Sequence, residues 1–224
     1  IMGNLILGDS TVEIKKFTDN QFDTVLTSPP YNRKRNDKYE SYTDVQDDYF
    51  GFLAESIKQC LRVCKGNVFY NVQKNFYNRV ELYKIFGLFA DKIIETIIWN
   101  KPNPMPASGN SVTNAYEFIL VLSNNNTALK ANSTYIKNHF CTPVYSENPY
   151  KKQHRAVMHP KAVEFILRSF CHRDHHVFDP FMGTGSTGVV AKQLGMKFTG
   201  IELVEEYYDI SKQQLASSTQ AFLL

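Results

Sequence analysis

The chain has 224 residues, 43% hydrophobic and 21% charged, which is ordinary globular usage and enough for one sizeable core. A formal net charge of +3 supplies no bulk field for a polyanion, so any nucleic-acid contact has to come from local basic patches. No apolar run reaches bilayer length and no export signal is legible; four cysteines (Cys60, Cys64, Cys141, Cys171) do not make a disulfide framework, so reduced thiols and a cytoplasmic location are expected.

In chain order, Asn4-Leu5-Ile6-Leu7 predicts a short strand that Gly8-Asp9-Ser10 ends. Asp9 then stands at a strand tip, where α/β sheets collect ligands; it reads equally as an Asx turn or a cap for the next helix. Residues 22–27 predict a strand running straight into Ser28-Pro29-Pro30-Tyr31. Two prolines remove two amide donors and fix φ, leaving the carbonyls of Ser28 and Pro29 without ladder partners on that side. The outcome is a rigid ledge of hydrogen-bond acceptors beside a hydroxyl and an aromatic ring. Residues 32–48 then place Arg33, Lys34, Arg35 and Lys38 among Tyr39 and Tyr42, a flexible loop suited to a phosphate backbone and equally readable as a solvated charged loop.

Thr43-Asp44-Val45-Gln46 reads as a capping box, followed by Phe50, Leu53, Ile57, Leu61 and Cys64 at helical spacing, with Lys65-Gly66 as the stop. A strand over 67–71, a helix over 76–86 stopped at Gly87, and strands over 93–99 and 116–122 follow. Residues 123–155 break the rhythm. They have no sustained period, and Lys137, His139, Lys151, Lys152, His154 and Arg155 make them basic. An irregular stretch of that length in a compact domain is usually functional or disordered. Pro160 opens a helix at its permitted first position, with Val163, Ile166, Leu167 and Phe170 on one face. Cys171, His172, His175 and His176 crowd together but lack a second ligand pair at a recognised spacing, so a polar turn and no metal site is expected.

The chain is organised around Asp179-Pro180-Phe181-Met182-Gly183-Thr184-Gly185-Ser186-Thr187-Gly188. The strand pair Val177-Phe178 enters it, a helical run over 189–194 leaves it, and a second strand over 197–201 ends on Glu202. Strand, glycine loop, helix, strand and carboxylate together predict a nucleoside ligand, because glycines allow close backbone approach and the acid can accept from both ribose hydroxyls. Gly183, Gly185 and Gly188 match the dinucleotide fingerprint, which keeps a nicotinamide-dependent oxidoreductase as a distant alternative. An acid at the first strand tip would repel a pyrophosphate and suits a cationic ligand instead. A last helix over 204–215 completes the pattern. Alternating strands and helices predict an α/β fold with a mostly parallel sheet and ligands at its carboxyl edge.

Thr27-Ser28-Pro29-Pro30-Tyr31 followed, far downstream, by Asp179-Pro180-Phe181-x-Gly183-x-Gly185-Ser186-Thr187 resembles the β group of amino-group DNA methyltransferases, which use S-adenosylmethionine. Residues 98–104, Asn114-Ala115-Tyr116-Glu117 and His159-Pro160 fit that family's minor motifs, so the resemblance spans nearly the whole chain. It implies one catalytic domain over 1–224 with a Rossmann-like, circularly permuted sheet and helices on both faces. Residues 123–155 would form a small target-recognition insertion and residues 32–48 a DNA-contacting loop.

By the same resemblance, Asp179, Pro180, Phe181, Gly183 and Gly185 form the cofactor loop, Ser186 and Thr187 cap its helix, and Glu202 holds the ribose. Asp9 meets the adenine amino group, and His159 and Pro160 lead the helix beside the methionine moiety. Ser28, Pro29, Pro30 and Tyr31 become the catalytic tetrapeptide, with Arg33, Lys34, Arg35, Lys38, Lys151, Lys152 and Arg155 on double-stranded DNA. Serine at the first tetrapeptide position implies cytosine N4 as the methyl acceptor, with adenine N6 as the alternative. A cognate restriction endonuclease and a second copy of the chain are the further partners that the family suggests.

Overall fold

The structure, a computed structural model, describes residues 4–32, 46–104, 106–107, 109–143, 147–150 and 157–218. Eight strands form one sheet: β1 (Asn4–Leu7), β2 (Phe22–Thr27), β3 (Cys64–Val72), β4 (Ile93–Asn100), β5 (Tyr116–Leu122), β6 (His139–Cys141), β7 (His176–Asp179) and β8 (Lys197–Glu202). Their spatial order is β1-β8-β7-β2-β3-β5-β4-β6. Among the described residues only β5 runs antiparallel to its neighbours; the other pairings are parallel. The first and last strands share one edge, as the permuted order requires.

The helices are α1 (Ser10–Glu13), α2 (Tyr49–Val63), α3 (Arg79–Leu88), α4 (Pro160–Phe170), α5 (Ser186–Gln193) and α6 (Glu205–Ser217). Period-two alternation divides the strands between two cores. Val68, Tyr70 and Val72 of β3 and Leu120 and Leu122 of β5 face one way, against Leu53, Ile57 and Cys60 of α2 and Leu82 and Ile85 of α3. Phe69, Ile119 and Val121 face the other way, against Val163, Ile166 and Leu167 of α4, Val190 and Ala191 of α5, and Leu194, which caps α5. Both sheet faces are therefore covered, which is why the central strands are apolar on both sides.

Four local expectations are corrected. Helix α2 starts at Tyr49, where Asp48 accepts from the Gly51 amide at 2.9 Å, and Thr43-Asp44-Val45 lies outside the described residues. Lys65-Gly66 does not stop that helix. It belongs to β3, where a Cβ on Gly66 would lie 2.4 Å from the Asp23 carbonyl, so the glycine allows β3 to pass close to the neighbouring chain. Gly87 lies inside α3, with open space where a side chain would be, so it does not end the helix. Residues 123–155 are not wholly irregular. They contribute β6, which pairs with β4 and buries Phe140 against Trp99 and Phe165.

The sheet sets the place of the site. From β7 the chain crosses through α5 to β8 on one side, whereas from β2 it crosses through α2 to β3 on the other. Strands β7 and β2 are neighbours, so their carboxyl ends flank the point where the direction of winding reverses, and a crevice opens there.

Candidate active site

The tip of β2 and the tip of β7 meet through one buried hydrogen bond. Thr27 Oγ1 donates to Asp179 Oδ1 at 2.6 Å, across 152 residues of sequence. Asp179 is 3% exposed. Its other oxygen accepts from Thr187 Oγ1 at 2.7 Å, and Oδ1 also accepts from the Phe181 amide at 3.0 Å. Burial pushes its carboxyl up to about 6, although all three hydrogen bonds pull it down. Gly183 and Gly185 carry φ of +53° and +93°, which turn the loop sharply from β7 into α5. Helix α5 begins at Ser186 with Gly185 as its N-cap and no side-chain cap. The expected capping role of Ser186 and Thr187 is thus replaced by the bond from Thr187 to Asp179.

Glu202, at the end of β8, is 9% exposed. Its two oxygens accept from the Gly183 amide (2.8 Å) and the Val204 amide (2.9 Å). Burial raises its pKa, and the backbone amides offset part of that rise. Each carboxylate oxygen has two lone pairs, so both retain capacity for a further donor. Asp9 accepts from Thr11 N and Thr11 Oγ1 through Oδ1 and caps α1, as one of its two readings expected, and it also lines the crevice.

A cavity of about 410 Å³ lies between these tips. Asp9, Ser28, Pro29, Pro30, Tyr31, Pro180, Phe181, Gly183 and Glu202 all line it, so the two distant motifs share one crevice. Phe52, Ile201, Val204 and Tyr207 add an apolar wall that sequence reading did not single out. Phe52 packs against Phe181 with ring centroids 5.7 Å apart. A smaller adjoining hollow is lined by Ser28, Met158, Asp179, Gly183, Ser186 and Thr187 among others. His159 and Pro160 line neither hollow. His159 instead accepts from the Lys161 amide at 3.1 Å as the cap of α4, while Val157 and Met158 just before it reach the smaller hollow.

Ser28 sits in a polar cluster. Its Oγ lies 2.6 Å from Tyr31 Oη and 3.3 Å from Asn71 Nδ2. Tyr31 donates to Glu117 Oε2 at 3.1 Å, and Asn71 Nδ2 donates to Tyr31 Oη and to Glu117 Oε2, both at 2.7 Å. Lys101 Nζ pairs with Glu117 Oε1 and stands 4.6 Å from the centre of the Trp99 ring. The ledge itself is clamped: Tyr49 Oη donates to the Pro30 carbonyl at 2.8 Å, and Asn75 and Asn78 donate to the Tyr31 carbonyl at 3.0 and 2.9 Å. Asn71, Lys101 and Glu117 were not expected at the site. Their only signal was their place at the sheet's ligand-binding edge and within the stretches 98–104 and Asn114-Ala115-Tyr116-Glu117.

Arg33, Lys34, Arg35, Lys38, Lys151, Lys152 and Arg155 lie outside the described residues. The Gln46 amide donates to Asn32 Oδ1 at 3.2 Å, and Gln46 lines the cavity. Cys171, His175 and His176 are engaged with threonine hydroxyls of β2 and β8. Among the described residues no group of three or more His, Cys, Asp or Glu side chains is placed to hold a metal ion, and no helix is long and apolar enough to cross a membrane.

Comparison with known proteins places this geometry among relatives. The family model described as DNA methylase, of the N6/N4 type, matches residues 22–213. The type II methyltransferase M.MwoI of Methanothermobacter wolfeii is 30% identical over 211 residues, which cover 87% of this chain and 31% of that protein. The chain therefore spans about a third of the length of that relative. The solved structure of PvuII DNA methyltransferase, described as cytosine-N4-specific, superposes with a TM-score of 0.79 at 21% identity, covering 96% of this chain and 86% of that one. M1.HpyAVI, solved as a complex with SAM, superposes with a TM-score of 0.66 at 19% identity over 95% of this chain and all of that one. These two likenesses carry the fold.

Proposed function

The chain belongs to the N6/N4 DNA methylase family, and from that premise we propose that it transfers the sulfonium methyl group of S-adenosylmethionine to the exocyclic N4 of cytosine in duplex DNA. One observation carries the reading: the 2.6 Å bond between Thr27 and Asp179, which brings the glycine loop and the Ser-Pro-Pro-Tyr ledge onto the walls of a single cavity.

The residues present fit this cofactor. The main cavity has the volume of a nucleoside-sized site. Glu202 keeps acceptor capacity for ribose hydroxyls, and Phe181, Phe52 and Ile201 offer apolar surface to a purine. Asp9 stands at the same wall for the adenine amino group. Asp179, buried in the adjoining hollow, supplies negative charge for an ammonium or sulfonium. Two buried carboxylates around one crevice disfavour a pyrophosphate, which argues against the nicotinamide alternative. When bound, the cofactor supplies an electrophilic methyl carbon.

The chain's own residues prepare the acceptor. The exocyclic nitrogen of cytosine is a poor nucleophile because its lone pair is delocalised into the ring. Ser28 Oγ accepts a hydrogen bond from that amino group, with Pro29 beside it in the cavity wall, and the nitrogen is drawn toward tetrahedral geometry. Ser28 is too weakly basic to remove the proton beforehand, so its contribution is positioning and electrostatic. Tyr31, 6% exposed and held at both its hydroxyl and its carbonyl, is a fixed surface for a base taken out of the duplex. A neutral hydroxyl at the first ledge position supports cytosine over adenine.

Residues 123–155 and the loop 32–48 read the target, and the basic side chains outside the described residues grip its phosphates. The naming of M.MwoI as a type II methyltransferase supports a modification role beside a restriction endonuclease. A homodimer would give this short target-reading segment a second reading surface. The test is transfer of labelled methyl from S-adenosylmethionine to genomic DNA, followed by digestion to nucleosides and mass spectrometry. N4-methylcytosine is the expected product; N6-methyladenine alone refutes the base assignment, and no label on DNA refutes the activity.

A further inference from the structure

Glu117 is a buried carboxylate near the start of β5, 3% exposed, beside the apolar strands β3 and β4. Its cross-strand partner is Trp99 on β4, and the next residue of β5, Phe118, faces Val72 on β3. A strand position of this kind favours a β-branched or aromatic residue. Burying an acid instead is costly unless it is paired and hydrogen-bonded. The one reversed strand of the sheet accounts for its location. Because β5 runs against its neighbours, its first residues lie at the carboxyl ends of β3 and β4, next to Asn71 and behind the ledge.

We propose that Glu117 is a positioning residue that makes Ser28 an acceptor and, through Tyr31, takes up the proton that the target amino group loses. The proposal rests on the methyl-transfer reading above and deepens it.

The polarity follows from donor inventories. A carboxylate only accepts, so the hydrogen between Tyr31 and Glu117 Oε2 is the tyrosine's. A hydroxyl has one hydrogen. With Tyr31's directed to Glu117, the short 2.6 Å contact between Ser28 Oγ and Tyr31 Oη is filled by the serine hydrogen. Asn71 reinforces the arrangement: its two Nδ2 hydrogens go to Tyr31 Oη and Glu117 Oε2, both at 2.7 Å, and only a longer 3.3 Å contact is left to Ser28 Oγ. Lys101 holds the other oxygen, Oε1. Ser28 therefore turns its hydrogen inward and its lone pairs toward the cavity it lines. Without Glu117 the serine hydrogen would be free to point at the incoming amino group, where it would oppose the nucleophile.

The same chain balances the proton. Once the nitrogen has gained its methyl group it is strongly acidic. Its N–H bond breaks and the proton passes to Ser28 Oγ. The serine's own proton passes to Tyr31 Oη, and the tyrosine's to Glu117 Oε2. Three hydrogen-bearing bonds break and three form, nothing is oxidised, and the net change is one proton moved from the amine to Glu117, which loses it to water before the next turnover.

The test is single-turnover methyl transfer to DNA with wild type, Glu117→Gln, Tyr31→Phe and the double variant, alongside direct measurement of cofactor affinity. Each single change is expected to slow transfer by about 10²-fold, in the range that positioned proton transfer contributes. Cofactor affinity should stay within about twofold, and the double variant should be no slower than either single one, because both break one chain. Losses that multiply in the double variant, or a loss that appears as weakened cofactor binding, overturn the proposal in favour of a structural role for Glu117. Where Glu117→Gln fails to fold, Tyr31→Phe carries the test alone, since it leaves the Lys101 pair intact; an unchanged rate there overturns the relay. A wild type that transfers no methyl overturns the methyl-transfer reading itself, and that result is visible before any variant is compared.

Discussion

Asp179→Asn isolates the electrostatic part of the site. The substitution keeps shape and most hydrogen bonding, because the Thr187 hydroxyl can turn to accept from an amide. It removes the charge. Burial lifts the Asp179 carboxyl from the ordinary 3.8 to about 6, a rise of roughly 2 units, and each unit is worth about 1.4 kcal/mol. The folded-state value lies above the unfolded one, so the stability this group supplies is complete below about 3.8 and is lost as the pH rises through about 6. At pH 7 the cofactor-free wild type then carries a buried charge that costs up to about 3 kcal/mol, and Asp179→Asn should be the more stable protein by as much as that. The gain should shrink toward zero near pH 4. A cationic ligand inverts the balance, so wild-type affinity for S-adenosylmethionine should tighten from pH 5 to pH 7, while that of the variant should be weaker at pH 7 and flat. Urea unfolding at several pH values, with calorimetric titration of the cofactor over the same range, measures both. A variant that is less stable at pH 7 by an amount independent of pH, and that binds the cofactor as well as wild type, refutes the assignment of Asp179 as a buried charge facing a cation.

Gly185→Ala should destabilise the fold by roughly 2 kcal/mol in thermal or urea unfolding, because φ there is +93° and the new Cβ would lie 2.9 Å from Ser211 Cβ. Glu202→Gln should weaken cofactor affinity by about tenfold, the worth of one lost charge-assisted hydrogen bond, and leave the rate at saturating cofactor nearly unchanged; a fall in rate with unchanged affinity contradicts its ribose role. Charge reversal at Lys151 and Lys152 should weaken DNA binding and flatten its salt dependence, which filter binding at several ionic strengths reads directly.

Much of the fold was legible because strand signals here are strong. Strands β2, β5 and β8 fall where apolar and β-branched runs end on turn residues. Glycine was the poorer guide: Gly66 and Gly87 both read as helix stops, yet one permits a close backbone pass inside β3 and the other rides on the open side of α3. Strand β6 escaped because three residues carry no period, and its pairing with β4 is purely tertiary. The site divides the same way. Each motif was legible by its position, since Asp179, Glu202 and Ser28 stand at the ends of legible strands. What joins them was not, because the Thr27–Asp179 bond and the Ser28–Tyr31–Glu117 cluster depend on strand order. Glu117 in particular looks like any polar residue at the start of a strand until the reversal of β5 puts it behind the ledge.

The claim on which all of this depends is that the ledge near one terminus and the glycine loop near the other work on one substrate pair. Single-turnover methyl transfer by Ser28→Ala, measured beside its cofactor affinity, tests that claim most directly. Transfer should be slowed by about 10²-fold or more at unchanged affinity for S-adenosylmethionine, since the proposed role of Ser28 is on the acceptor and not on the donor. A rate equal to wild type would contradict that claim.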